Sequence, residues 1–117
     1  MRLNLTQHAS TPEQGCLDLR GEQLSQLRTL LNFVVLPSRA EIEERAKAIA
    51  EMAIATGATS AMIGGAPFLM PALEKALAKV NVTPLYAFSV REVVETTSPD
   101  GGVIKTAIFR HLGFVEA

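Results

Sequence analysis

Three polar segments carry the side chains that could do chemistry, and each follows an apolar run. The first, residues 7–11, holds an amide, an imidazole and two hydroxyls; the second is the glycine turn at 64–67; the third begins at Ser89 and contains Arg91. These side chains, together with the free backbone N–H groups at a helix start, are donors suited to phosphate or carboxylate. If the three segments meet in the fold, the sequence predicts a site for a small anionic ligand.

The candidate catalytic residues are His8, Ser10 and Arg91. His8 comes just after a strand pattern, so it is interpreted as a general acid or base, as a ligand donor, or as a loop histidine satisfied by its neighbours. Arg91 is the best-placed cation for an anion, and an ion pair with Glu92 or Glu95 is the alternative. The expected ligand-binding residues flank these three: Gln7, Thr11, Gly64, Gly65, Ala66, Pro67 and Ser89.

The glycine pair has two interpretations. Gly64 and Gly65 lack the further glycine of a dinucleotide fingerprint and the lysine of a nucleotide-triphosphate loop, so they indicate either a ligand cradle or only a tight strand-to-helix turn. His8, His111 and Cys16 do not have the spacing of metal ligands. We therefore expect no metal and no cofactor.

The elements that must position these residues follow an α/β pattern. Strand patterns predict three parallel strands and an antiparallel hairpin extension, at 2–6, 59–63, 85–89 and 91–97/103–110. The near-continuous apolar run at 59–63 is typical of a strand covered on both faces, so we expect a three-layer sandwich. A right-handed parallel crossover then brings the carboxyl ends of the strands to one edge. We expect residues 1–117 to form one ligand-binding domain.

Helical spacing of apolar residues predicts three helices between the strands. The first covers residues 22–31; the second begins at a capping box of Ser38 and Glu41 and ends near Gly57; the third covers residues 67–80. A proline at position 71 means that the third helix either starts regularly near residue 70 or has a distorted opening. Residues 11–14 are expected to form at most one helical turn.

Composition excludes several classes of partner. Lys plus Arg number 11 and Asp plus Glu 12, so there is no global positive field to hold long nucleic acid. No apolar run approaches the roughly 20 residues of a membrane span, and a single cysteine, Cys16, suggests a reducing compartment. A cytoplasmic protein without membrane or long nucleic-acid partners is expected. Phe114 and Val115 form an apolar pair near the end of the chain, and we expect packing within the chain or a partner subunit to cover them.

The ends of the predicted strands also carry a family resemblance. Residues 5–8 end the first strand, residues 62–66 open a helix, and residues 89–91 follow the third strand. With these motifs the chain resembles the small Rossmann-like proteins associated with CRISPR defence, both the sensors and the stand-alone ring nucleases that act on cyclic oligoadenylate. It is also similar to proteins of phages and mobile elements. The resemblance covers most of the chain and implies a role in defence or counter-defence.

For a ring nuclease, the resemblance implies a small Rossmann-like fold and a symmetric homodimer that holds the cyclic nucleotide across its two-fold axis. A ribose hydroxyl would attack the adjacent phosphate without a metal, as in a metal-independent phosphodiesterase. The resemblance implies that Gly64, Gly65 and Ala66 contact the phosphate. Ser10, Thr11 or Arg91 would stabilise its charge, and His8 would transfer the proton. Two alternatives are open: sequestration of a nucleotide signal without cleavage, and a structural or protein-interaction subunit that uses the hairpin and Phe114.

Overall fold

The fold is a five-stranded sheet with three α-helices, and the computed structural model describes all residues from 1 to 117. In chain order the elements are β1 (Arg2–Leu5), β2 (Leu17–Asp18), α1 (Gly21–Leu31), α2 (Arg39–Thr56), β3 (Ser60–Ile63), α3 (Met70–Lys79), β4 (Thr83–Thr97) and β5 (Val103–Glu116). The strands lie in the order β2-β1-β3-β4-β5. The first four are parallel and β5 is antiparallel to β4, which confirms the predicted α/β class with a hairpin extension.

All three α-helices pack on one face of the sheet. Leu3, Leu5 and Ile63 belong to one core with the buried side chains of the helices. Because side chains alternate along a strand, Asn4 points to the opposite face. The chain between β1 and β2 covers that face, and its only helical piece is a 3₁₀ turn, Pro12–Gln14. The predicted three-layer sandwich is therefore reduced to two full layers, because this connection is too short to lay a helix across the sheet.

Arg2 and Phe114 pack against each other on the sheet face that carries no α-helices. The Arg2 guanidinium carbon lies 4.1 Å from the centroid of the Phe114 ring, and Arg2 Nη1 donates to the Gln14 carbonyl oxygen at 2.6 Å. Packing within the chain thus covers part of Phe114, whereas Val115 keeps 55% of its surface exposed. Of the two apolar residues that were expected to be covered, Phe114 is partly covered by the chain itself and Val115 is not.

The helix boundaries follow local signals. Ser38 Oγ accepts a hydrogen bond of 3.1 Å from the Glu41 backbone N–H, and Gly57 follows the helix with φ of 74°, which confirms the predicted cap and end. The third helix begins at Met70 and not at residue 67, because Pro71 is tolerated only in the first turn of a helix. No helix combines the length and the apolar composition that crossing a bilayer requires.

β4 is longer than predicted, which changes where its residues lie. The strand predicted at 85–89 and the first hairpin strand, 91–97, are one continuous element, and β3 pairs with it only as far as Leu85. Beyond that residue β4 pairs with β5 alone, with a β-bulge between Phe88 and Ser89. Residues 89–111 form a two-stranded ribbon, called the arm below. The molecule is accordingly elongated, 58 Å along its longest axis against 33 and 27 Å along the others.

Candidate functional site

The carboxyl ends of β1 and β3 meet where the chain leaves the sheet in opposite directions. The two strands are adjacent and parallel, with Leu5 beside Ile63. The chain after β1 crosses to the face without α-helices, whereas the chain after β3 turns at Gly64 toward α3 on the helical face. In open α/β sheets such a divergence opens a crevice in which ligands commonly bind.

A cavity of about 370 Å³ lies in this crevice. This volume falls within the range of small-molecule sites, roughly 300 to 1,000 Å³. One wall is polar and comes from the loop after β1, and the other is apolar and comes from β3 and β4. The residues that characterise these walls are Thr6, Gln7, His8 and Gln14 on the polar side and Met62 and Tyr86 on the apolar side.

Asn4 shapes the loop that forms the polar wall. Its side chain is buried, with 4% of the residue exposed. Asn4 Nδ2 donates to the His8 carbonyl oxygen at 2.7 Å and to Asp18 Oδ1 at 2.9 Å. Asn4 Oδ1 accepts from the Thr6 backbone N–H at 2.9 Å and from the Thr6 hydroxyl at 2.7 Å. Both donor hydrogens and the acceptor oxygen of the amide are therefore in use, and they hold residues 6–8 in place.

Asp18 ties the same loop to β2, a two-residue strand that the sequence patterns did not indicate. Besides the bond from Asn4, both carboxylate oxygens lie 3.2 Å from the Ser10 backbone nitrogen, which donates to them. These hydrogen bonds, first that from Asn4 and then those from Ser10, hold the pKa of Asp18 below its usual value. Asp18 is thus an ionised anchor for the loop at neutral pH.

A second cavity, of about 180 Å³, opens on the other side of this loop. Residues 6–9 line both cavities. The rest of the second cavity comes from β2 and α1 and includes Arg20 and Arg28. The loop is therefore a shared wall between two adjoining spaces of different character.

The lining of the second space carries two cations, Arg20 and Arg28, and one carboxylate, Asp18. The three ion pairs of the molecule involve other cations, and neither arginine side chain forms a hydrogen bond within the chain. Arg20 immediately precedes α1, which has no side-chain cap at its N-terminus, so the N–H groups of the first turn are free to bind an acceptor. The sequence pattern did not indicate Arg20 because β2, the strand before it, is too short to show alternation, and it did not indicate Arg28 because nothing in the predicted helix pairs that residue with the loop after β1.

Of the predicted site residues in the loop after β1, Gln7 and His8 line the crevice. The His8 imidazole is exposed and forms no hydrogen bond, while its carbonyl oxygen is held by Asn4. Gln7 Oε1 accepts a long hydrogen bond of 3.3 Å from Asn32 Nδ2. Both side chains are therefore placed to meet a bound molecule.

Ser10 and Thr11 serve their own loop and line neither of the two cavities. The Ser10 hydroxyl lies 3.5 Å from the Cys16 carbonyl oxygen, and the Thr11 backbone N–H donates to Gln14 Oε1 at 3.0 Å. These hydrogen bonds hold the loop together, and a direct role of Ser10 or Thr11 in chemistry stays a prediction.

The glycine turn contributes only its first two residues to the crevice. Gly64 and Gly65 line the first cavity. Ala66 instead packs against the hydrophobic core, and Pro67 is exposed in the turn before α3. Gly65 has φ of 146°, a backbone conformation that L side chains rarely adopt.

The structure places Ser89 and Arg91 on the arm and not in the crevice. Ser89 lies opposite His111, and Arg91 lies opposite Phe109 in the antiparallel pairing. The expectation that Arg91 directly follows the end of the third strand is wrong, because the alternating pattern continues and β4 runs on to residue 97. His8, Ser10 and Arg91 are consequently not brought together within one chain.

Tyr86 forms the aromatic part of the crevice wall. Its hydroxyl donates to Glu74 Oε2 of α3 at 2.7 Å. Burial first, and then the bond and charge of Glu74, raise the pKa of Tyr86 to about 12. Tyr86 is thus held as a neutral donor toward α3, which fixes the orientation of its ring.

Comparison with known proteins shows a match to a protein family. The family model of the Uncharacterized protein MJ1673 family matches residues 1–115. No curated protein and no solved structure matches the chain. The resemblance to CRISPR-associated proteins and ring nucleases therefore stays a prediction.

Proposed function

The chain belongs to the MJ1673 family, and we propose that it binds a small nucleotide-type anion in the crevice between β1 and β3. The observation that carries the proposal is the pair of cavities on the two sides of residues 6–9. One is lined by two arginines and the Asp18 carboxylate, and the other has an apolar, aromatic wall. A nucleotide has the same two halves, a charged phosphate and a flat, largely apolar base.

The phosphate would lie on the side of β2 and α1. Neither Arg20 nor Arg28 forms a close ion pair within the chain, although the charge of Arg20 helps to lower the pKa of Asp18, so a phosphate would bind them without breaking an ion pair. Guanidinium groups bind phosphate through paired N–H donors, and the uncapped start of α1 adds backbone donors of the same polarity. Two local cations satisfy a small anion even though the net charge of the chain is −1.

The base would lie on the side of β3 and β4. Tyr86 and Met62 both line the cavity, Tyr86 from the helical face of the sheet and Met62 from the opposite face, and they would offer a base a ring for stacking and a polarisable apolar contact. Gln7 and Gln14 at the opposite wall carry donors and acceptors that match the polar edges of a base.

The proposed activity is binding without cleavage. Cleavage of a cyclic oligonucleotide by the implied mechanism needs a proton-transfer group beside a group that stabilises phosphate charge. His8 is the predicted proton-transfer residue, but Ser10 bonds within its own loop and Arg91 lies on the arm. Sequestration of a nucleotide signal is therefore the better-supported form of the function.

Isothermal titration calorimetry tests the proposal, with adenosine monophosphate, adenosine triphosphate, cyclic di-adenylate and cyclic tetra-adenylate as titrants. We expect at least one of them to bind, and Arg20→Ala and Arg28→Ala each to weaken that binding about tenfold, the usual effect of losing one charge-assisted hydrogen bond. Chromatography of the ligand after prolonged incubation should return it intact.

Arg39→Ala is the matched control, because Arg39 is also an exposed arginine without an ion pair and lies on α2, away from the crevice. It should leave the affinity within twofold of the wild-type value. Absence of binding to every titrant, or an equal loss in Arg39→Ala, would overturn the proposed site. Linear products in the chromatogram would show cleavage and overturn the sequestration proposal.

A further inference from the structure

The arm presents two faces that differ in exposure and charge. Because side chains alternate along a strand and cross-strand partners share a face, one face carries only odd-numbered residues and the other only even-numbered residues. The odd face comprises Ser89, Arg91, Val93, Glu95 and Thr97 of β4 with Val103, Lys105, Ala107, Phe109 and His111 of β5. The even face carries Glu92, Val94, Ile104, Ile108 and Arg110 among others.

The odd face is the more exposed apolar surface. Phe109, Val93 and Val103 are 76%, 60% and 62% exposed, against 39%, 52% and 42% for Val94, Ile104 and Ile108 on the even face. An isolated two-stranded ribbon is at best marginally stable in water, and its exposed aromatic and β-branched side chains leave apolar surface in contact with water. The odd face is thus the part of the arm that gains most from being covered.

The charges of the odd face are incompletely paired, whereas those of the even face are paired within the chain. On the even face Arg110 Nη1 lies 3.0 Å from Glu92 Oε1. On the odd face Glu95 has only a 3.6 Å contact with Lys105, and Arg91 has no carboxylate within reach. The odd face therefore offers a free cation and a weakly engaged carboxylate to whatever covers it.

We propose that the odd face of the arm docks on the odd face of a second copy of this chain. The two arms lie face to face with their strands antiparallel. The two-fold axis lies between them and runs across the strands at Val93 and Ala107, which are directly opposite each other in the ribbon. The axis places Val93 against Val93 of the second copy and lays each β4 over the other.

This arrangement is self-complementary in charge. Arg91 and Glu95 lie two residues on either side of Val93 along β4, so the two-fold axis sets Arg91 opposite Glu95 of the second copy. On the neighbouring strand the same axis sets Phe109 opposite Lys105 of the second copy, where an ammonium group can lie on an aromatic face. A symmetric contact repeats each pairing twice. Because the charges of the odd face complement those of the same face turned end to end, we choose a second copy of the chain over another partner.

Sedimentation velocity of the full chain over a range of concentrations, without any ligand, tests the proposal. We expect a concentration-dependent dimer. Arg91→Glu and Glu95→Arg should each raise the dimer dissociation constant at least tenfold, since each sets like charges against each other twice. The double variant R91E/E95R restores opposite charges and should return to within threefold of the wild-type constant. Val93→Glu, which sets two carboxylates together at the axis, should give a monomer.

The matched control is Arg110→Glu, a charge reversal on the even face of the same arm. It should leave the dissociation constant within threefold of wild type, and circular dichroism should show that every variant keeps its secondary structure. A monomer at all concentrations, silent single variants, or a folded double variant without recovery would overturn the proposal. The result does not depend on nucleotide binding, so the two proposals fail separately.

Discussion

Asn4 and Asp18 lie opposite each other in the parallel pairing of β1 and β2, and Asn4 Nδ2 donates to Asp18 Oδ1 at 2.9 Å. This bond joins a buried amide in the middle of the sheet to a carboxylate at its edge. The same amide holds the backbone of residues 6–8, which separates the two cavities. The geometry of the candidate site thus depends on a buried amide whose donors and acceptor bond within the chain.

We expect Asn4→Ala to destabilise the fold by about 2 to 3 kcal/mol, because it leaves the Thr6 N–H, the His8 carbonyl and part of the Asp18 carboxylate without partners in a partly buried position. Urea denaturation followed by circular dichroism measures the free energy of unfolding. Hydrogen exchange should quicken at the backbone N–H groups of residues 6–8.

Asn32→Ala is the control for that substitution, since Asn32 is an exposed asparagine whose side chain bonds to Gln7 and to the Arg28 carbonyl oxygen. Its cost should be about 0.5 kcal/mol, as for most surface substitutions. Equal costs for the two variants would show that the buried amide does not organise the loop.

We expect the contribution of Asp18 to stability to disappear at acid pH. Its folded-state pKa is lowered by the hydrogen bonds from Asn4 and Ser10, so its stabilisation is present above the unfolded-state pKa of about 3.9 and is lost as the pH falls through the folded-state value. At pH 7, Asp18→Asn should be less stable than wild type by about 1 kcal/mol. Urea denaturation at a series of pH values should show this difference shrinking toward pH 3, and a difference independent of pH would contradict the prediction.

The two glycines of the turn should respond differently to alanine. Gly65 has φ of 146°, so Gly65→Ala should cost about 1 to 3 kcal/mol through backbone strain, although its new Cβ would lie no closer than 3.7 Å to a neighbouring atom. Gly64 has no such φ, and its new Cβ would lie 3.5 Å from Thr6 Cγ2, so Gly64→Ala should stay within about 0.5 kcal/mol of wild type. Thermal and urea denaturation of the pair checks this, and an equal loss would show that space and not φ limits the turn.

Much of the fold could be predicted because it depends on local patterns. The capping box of Ser38 and Glu41, the glycine after α2 and the proline near the start of α3 are signals carried by a few neighbouring residues, and each marks the boundary that the structure shows. The parallel pairing of β3 and β4 also followed from the strand-helix-strand order of the sequence. His8 and Gly64 line the same crevice.

The rest of the site could not be predicted, because it depends on strand length and on contacts between distant residues. A strand of two residues has no periodicity, so neither β2 nor the position of Arg20 could be predicted from the sequence pattern. The alternation on both sides of residue 90 fits two short strands as well as one long one, and only the pairing of β4 with β5 moves Arg91 onto the arm. Asn4 looked like an ordinary polar residue between Leu3 and Leu5.

Composition and short-range periodicity were enough to predict the α/β class, the main helices, the glycine turn and a charge balance unsuited to long nucleic acid. The tertiary structure alone decided that Asn4 and Asp18 organise the loop, that Arg20 and Arg28 face it, and that Arg91 lies away from it. The physical reason is that a hydrogen bond or an unpaired charge depends on which residues the strand order and register place side by side.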